Sequence, residues 1–156
     1  MKKNLSNNKI IIIAVIVVLI VSILLFTNNK TIKCTGTSKQ TGYTYDTEYI
    51  IKASGNKVKT ITIKETITSK KATILDKFEK QYKEQYEYDK KTYGGYQYTI
   101  NNKDGKLEVN VDIDYKKMDM EKFIKNNATM KQYTKKNKLT LKGAKKLYES
   151  TGAVCK

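Results

Sequence analysis

Three groups of side chains in this 156-residue sequence have the types and spacing to do chemistry. The first is acidic. Leu107, Val109, Val111, Ile113 and Tyr115 alternate with Glu108, Asn110, Asp112 and Asp114. That period of two predicts a half-buried strand and places Asp112 and Asp114 on its polar face, about 6–7 Å apart. Paired carboxylates run general acid–base chemistry or hold a hard cation. A solvent-facing strip paired with cross-strand lysines shows the same alternation.

The second group is aromatic: Tyr43, Tyr45 and Tyr49 in one alternating stretch, Tyr96 and Tyr98 in another. An open tyrosine face stacks on sugar rings or bases, whereas a covered one builds a sheet core with its hydroxyls at the edge. The third group is cationic. All 31 basic residues are lysine, against 15 acids. Lys131, Lys135, Lys136, Lys138, Lys142, Lys145 and Lys146 crowd toward the C-terminus. They suit anionic lipid headgroups or anionic cell-envelope polymers. A Lys-, Asn-, Ile- and Tyr-rich composition without Arg is also what an AT-rich genome encodes. Without Arg, the bidentate grip on guanine or phosphate is missing, so no specific nucleic-acid partner is expected.

Absent residue types exclude more. There is no His, hence no Ser-His-Asp or Cys-His nucleophile and no His-bound metal. Neither a phosphate-binding glycine loop nor a dinucleotide fingerprint appears. The sequence therefore calls for no cofactor and no metal.

The elements that must position these groups follow from periodicity. A first strand is expected at residues 32–38, carrying Cys34. Residues 43–52 alternate strictly, Ser54-Gly55-Asn56-Lys57 is a turn signal, and the β-branched residues 58–68 complete a hairpin. The apolar phase slips between Val58 and Ile61, which predicts a bulge. Ile74, Phe78, Tyr82 and Tyr86 recur every four residues, an amphipathic helix over about 70–90 with Ser69 as its expected N-cap. Tyr93-Gly94-Gly95-Tyr96 ends it, and Asp104-Gly105 turns the next two strands into a second hairpin. A short helix follows at 118–126, with Asp119 near its start. Thr140 caps a last helix over 141–150, stopped by Gly152. This order predicts an α+β domain, an antiparallel sheet with helices packed on one face.

Ahead of that domain lies an uncharged run, residues 10–29, apolar from Ile10 through Phe26 except for Ser22. At about 1.5 Å per residue it can cross a hydrocarbon core of about 30 Å. Lys2, Lys3 and Lys9 mark residues 1–9 as a cytoplasmic stub, and residues 30–156 as an extracytoplasmic domain. The alternative is a cleaved signal peptide, but the run exceeds a usual h-region and no small-x-small site follows it. Cys34 and Cys155, one at each end of the exported domain, are expected to form a structural disulfide, which such a compartment preserves.

Several stretches resemble the YehR-like family of small bacterial lipoproteins, whose function is not established. They are residues 49–66 around Gly55-Asn56-Lys57-Val58, the helix 70–88, Val109 through Asp119, and Leu139-Thr140-Leu141 with Tyr148-Glu149 and Gly152. The resemblance covers about residues 43–156 and implies an α+β domain tethered outside a membrane, with no catalytic residues to carry over. Lipid-anchored members attach through an N-terminal cysteine, whereas this chain carries an apolar run; the Cys34–Cys155 pair is an addition. The sequence thus reads as a single-pass, membrane-anchored binding or scaffold domain, non-catalytic, of unknown ligand, with anionic cell-envelope polymers or another envelope protein as its expected partners. The rivals are a lysine-driven binder of anionic envelope polymers and a hydrolase using Asp112 and Asp114.

Overall fold

The computed structural model describes residues 28–156. The expected membrane span at 10–29 lies outside them save for its last two residues, and Asn29 already opens the first strand. The elements run β1 (Asn29–Gln40), β2 (Tyr43–Ser54), β3 (Lys57–Thr68), α1 (Ala72–Tyr93), β4 (Tyr96–Lys103), β5 (Lys106–Asp114), α2 (Met120–Asn126), a 3₁₀ turn (Ala128–Tyr133), a minimal ribbon of β6 (Thr134–Lys135) and β7 (Lys138–Leu139), α3 (Leu141–Ser150) and β8 (Val154–Cys155). Six strands form one antiparallel sheet in the order β4-β5-β3-β2-β1-β8. The architecture is the expected α+β.

Alternation sorts the sheet into two unlike faces. Toward the helices lie rows such as Ile32–Ile51–Ile61–Ile113–Tyr96 and Cys34–Tyr49–Ile63–Val111–Tyr98. The opposite face carries Thr35–Glu48–Lys64–Asn110–Thr99 and its polar neighbours. Among the described residues no helix covers it, as befits an antiparallel sheet with one solvated side. The bulge is where the phase slip predicts it. Lys52 pairs Thr60 while Ala53 pairs Val58, so Lys59 is the extra residue. In the β4–β5 turn, Asp104 and Gly105 both take positive φ, 52° and 75°, the mirror-image turn whose twist matches a hairpin.

The helix-covered side holds two apolar clusters. One packs α3 and the 3₁₀ turn on β1, β2 and the first half of β3, through Ile51, Ile61, Leu139, Leu141, Ala144 and Tyr148. The other packs α1 on the second half of β3 and on β4 and β5, through Ile67, Leu75, Tyr93, Leu107, Val109 and Val111. Cys34 and Cys155 are bridged, with Cα atoms 3.9 Å apart. The bridge ties β8 to β1 beside the pair Thr35–Val154.

The caps divide. Thr140 Oγ1 accepts the Gly143 amide at 2.9 Å, closing the start of α3 as expected. Thr140→Ala is expected to cost about 1 kcal/mol, read as a lower urea midpoint at unchanged slope. Ser69 is not a helix cap. Its hydroxyl accepts from the Lys71 amide at 3.0 Å and donates to the Gly42 carbonyl at 2.7 Å. It pins the β1–β2 turn to the chain entering α1, which begins at Ala72 behind an uncapped Lys71.

Candidate functional site

Between the two apolar clusters the helix-facing rows change character. The row flanked by Cys34–Tyr49–Ile63 on one side and Ser38–Tyr45–Ile67 on the other reads Gly36–Thr47–Glu65. On β2 and β3 a small hydroxyl and a carboxylate stand where tyrosine and isoleucine stand on either side, and on β1 a glycine stands between Cys34 and Ser38. At this seam α1 and α3 part. A cleft of about 460 Å³ opens there, lined by Gly36, Thr37, Ser38, Tyr45, Thr47, Tyr49, Thr151 and Gly152.

Glu65 is 8% exposed. Burying a carboxylate costs several kcal/mol unless it is hydrogen-bonded, and tyrosines supply the donors. Tyr45 Oη donates to Glu65 Oε1 at 2.6 Å and Tyr86 Oη to Oε2 at 3.4 Å. Tyr82 Oη in turn donates to Tyr45 Oη at 3.3 Å. Two of the three come from α1, where a spacing of four stacks their rings 5.8 Å apart and 4° from parallel. On the other side of the cleft the Tyr49 ring stacks on Tyr148 of α3, centroids 3.9 Å apart.

The electrostatics follow from burial. Desolvation raises the Glu65 carboxyl above its ordinary value, and the tyrosine hydrogen bonds only partly offset this. Burial, then the adjoining Glu65 charge, raises Tyr45, Tyr82 and Tyr86 well above 10. The hydroxyls therefore stay protonated and keep donating, while Glu65 is the group that titrates. The seam can hold a ligand against aromatic rings and hydroxyls, with one carboxylate behind them.

The residues singled out from sequence scatter over both faces. Tyr45 and Tyr49 meet in the cleft. Tyr43 lies edge-on to Phe78 at 5.2 Å. Tyr96 is buried in the α1 cluster, and Tyr98 donates to Glu87 at 2.7 Å across to α1. Asp112 and Asp114 lie on the uncovered face. Asp112 accepts from Thr62 Oγ1 at 2.6 Å, and Asp114 accepts from the Lys116 amide at 2.9 Å. They flank a separate hollow of about 430 Å³ that Lys52, Thr60, Thr62, Gln97 and Lys117 also line. Sequence reasoning missed Glu65, Thr47, Tyr82 and Tyr86 as site residues. The signal for Glu65 was present: an acid in phase with Ile61, Ile63 and Ile67 occupies a core position.

No family model and no curated protein sequence matches the chain. Two solved structures share its fold. The NMR structure of the E. coli YehR protein superposes with a TM-score of 0.53 at 15% identity, covering 81% of this chain and 91% of that one. An NMR structure of a protein from Streptococcus pneumoniae TIGR4 gives 0.50 at 12% identity, covering 82% and 85%. The class is therefore a small α+β domain with a helix-covered antiparallel sheet. Within that class the fold is YehR-like.

Proposed function

We propose that this chain is a membrane-anchored, extracytoplasmic and non-catalytic binding domain, and that its ligand enters the seam between α1 and α3. The apolar run at 10–29 and the lysines before it support the anchor and its orientation. The Cys34–Cys155 bridge supports an oxidising compartment. The single observation that carries the binding role is the Gly36–Thr47–Glu65 row. It removes bulk and inserts polar groups in the middle of an apolar face, which costs core stability and leaves a walled cleft.

A second reading rests on charge. Removing the three lysines of the stub leaves 28 against 15 acids, about +13 outside the membrane. That surface attracts anionic envelope polymers without a shaped site. The hydrolase reading needs Asp112 and Asp114 to act together on the uncovered face, where Thr62 and the Lys116 amide already engage them.

Salt and a cleft-filling variant separate the readings. The full chain in non-ionic detergent is screened by thermal shift against neutral glycans, organic cations, divalent cations, envelope polyanions and envelope peptides. A ligand at a hundred times its Kd adds about 2.7 kcal/mol to stability. The expected result is a shift that survives high salt and is lost in Thr47→Leu, which fills the cleft from its floor. A shift that collapses with salt and persists in Thr47→Leu refutes the seam and leaves the lysine surface as the binder.

A further inference from the structure

Resting on the seam as the binding cleft, we infer that it accepts the ammonium group of an organic cation. The lining residues are uncharged and rich in hydroxyls, Tyr45, Tyr49, Ser38, Thr47 and Thr151 among them, while the Thr37 hydroxyl is turned to Asp46 on the opposite face. Although lysine is the dominant charged residue of the chain, none among the described residues lines this cleft. The carboxylate behind the cleft is Glu65, whose Oε1 accepts from the hydroxyl of the lining Tyr45 at 2.6 Å. An anion would meet that carboxylate unpaired. A cation gains from it, and from the negative faces of the aromatic rings, in a partly desolvated setting where such attraction is strongest.

Bare metal ions fit less well. A hard divalent cation wants six or more oxygens. Both Glu65 oxygens are already engaged by tyrosine hydroxyls, and among the described residues no group of three His, Cys, Asp or Glu gathers to hold a metal. An alkylammonium needs no fixed coordination shell. It exchanges its hydration for ring faces and hydroxyl oxygens, and its charge is met through space by Glu65.

The groups facing Glu65 are Tyr45 from β2 and Tyr82 and Tyr86 from α1, all held protonated through neutral pH. Titration of the site is thus titration of Glu65. Cation affinity should rise with pH as this carboxyl ionises, and the rise should vanish in Glu65→Gln.

The test uses the full chain in a non-ionic polyoxyethylene detergent, with tetramethylammonium, n-butylammonium, glucose and neutral tert-butyl alcohol as probes. Amide resonances are followed by NMR at fixed ionic strength. The expected result is saturable shifts at Gly36, Thr47 and Gly152 with the two ammonium ions. Tert-butyl alcohol, which is nearly the size of tetramethylammonium, should give none. Glu65→Gln should weaken ammonium binding by about tenfold, the order expected of one partly buried charge contact. If that variant fails to fold, the pH profile of the native protein decides, since a flat profile refutes the role of Glu65. Equal shifts with tert-butyl alcohol overturn the inference, as does silence with every probe. Shifts with glucose alone also overturn it, while leaving the seam a binding cleft.

Discussion

Cys34→Ala combined with Cys155→Ala is expected to lower the thermal midpoint by roughly 12–20 °C, the consequence of losing about 4–5 kcal/mol in a domain of this size. The bridge spans 121 residues of sequence, so cutting it restores entropy to almost the whole unfolded chain. The folded state suffers too. β8 has two residues and pairs with β1 only at Cys34 and Thr35. Just before it, Ala153 and Tyr148 belong to the same core cluster as fully buried Cys34. Freeing β8 therefore loosens the packing of α3 and one wall of the seam. Calorimetry of native and double-variant protein checks the magnitude. Mass spectrometry of freshly isolated, non-reduced protein checks the premise: no thiol should be alkylated, and two alkylatable cysteines would refute the bridge.

Glu65 should give the second-largest response, and it should depend on pH. The folded-state value is raised above the ordinary 4.5 by burial. In the window above 4.5 the folded protein holds a proton that the unfolded chain has released, so stability falls as pH rises through the folded value. Glu48, Glu79 and Glu87 act in the opposite sense. Hydrogen bonds from Lys33, Lys83 and Tyr98 respectively hold them low, so whatever they contribute is lost only on acidification below the ordinary range. Subtracting the Glu65→Gln curve from the native curve isolates Glu65. The difference should favour the native protein progressively less from pH 4.5 upward. Glu65→Ala behaves differently, because it strands the Tyr45 and Tyr86 hydroxyls without their acceptor. A loss of about 2–3 kcal/mol is expected near pH 4.5, measured by urea unfolding, and it shrinks toward higher pH in parallel with the Gln difference because both variants lack the titrating carboxyl. A parallel pair of native and Gln curves would refute the burial of a titrating carboxylate.

Much of the fold could be read in order along the chain. Strict alternation in residues 43–52 and 107–115 gave two strands and their inward faces, because a strand's side-chain period is two whatever surrounds it. Asp104-Gly105 defined a hairpin, because few residue pairs tolerate two successive positive φ values. Thr140 and Asp119 marked helix starts by a local hydrogen bond three residues away. Ser69 misled for the same reason in reverse. Its hydroxyl found the Gly42 carbonyl, a partner 27 residues back that no local rule anticipates.

The candidate site was legible only in fragments. Tyr45 and Tyr49 stood out as aromatic, yet Asp112 and Asp114 drew equal attention and lie on the uncovered side of the sheet. Glu65, Tyr82 and Tyr86 looked like one acid among many and part of a helix stripe. What joins them is register. The pairing that sets Gly36 beside Thr47, and Thr47 beside Glu65, is fixed by three strands at once, and α1 then delivers Tyr82 and Tyr86 from above. The sequence by itself determined which residues alternate, turn and cross-link, and that Asp119 and Thr140 start their helices, since those depend on neighbours within a few positions or on the oxidation of two unique thiols. Tertiary structure alone decided where the two apolar clusters part and which carboxylate lies in the gap. That outcome depends on strand order and helix placement, which local periodicity does not encode.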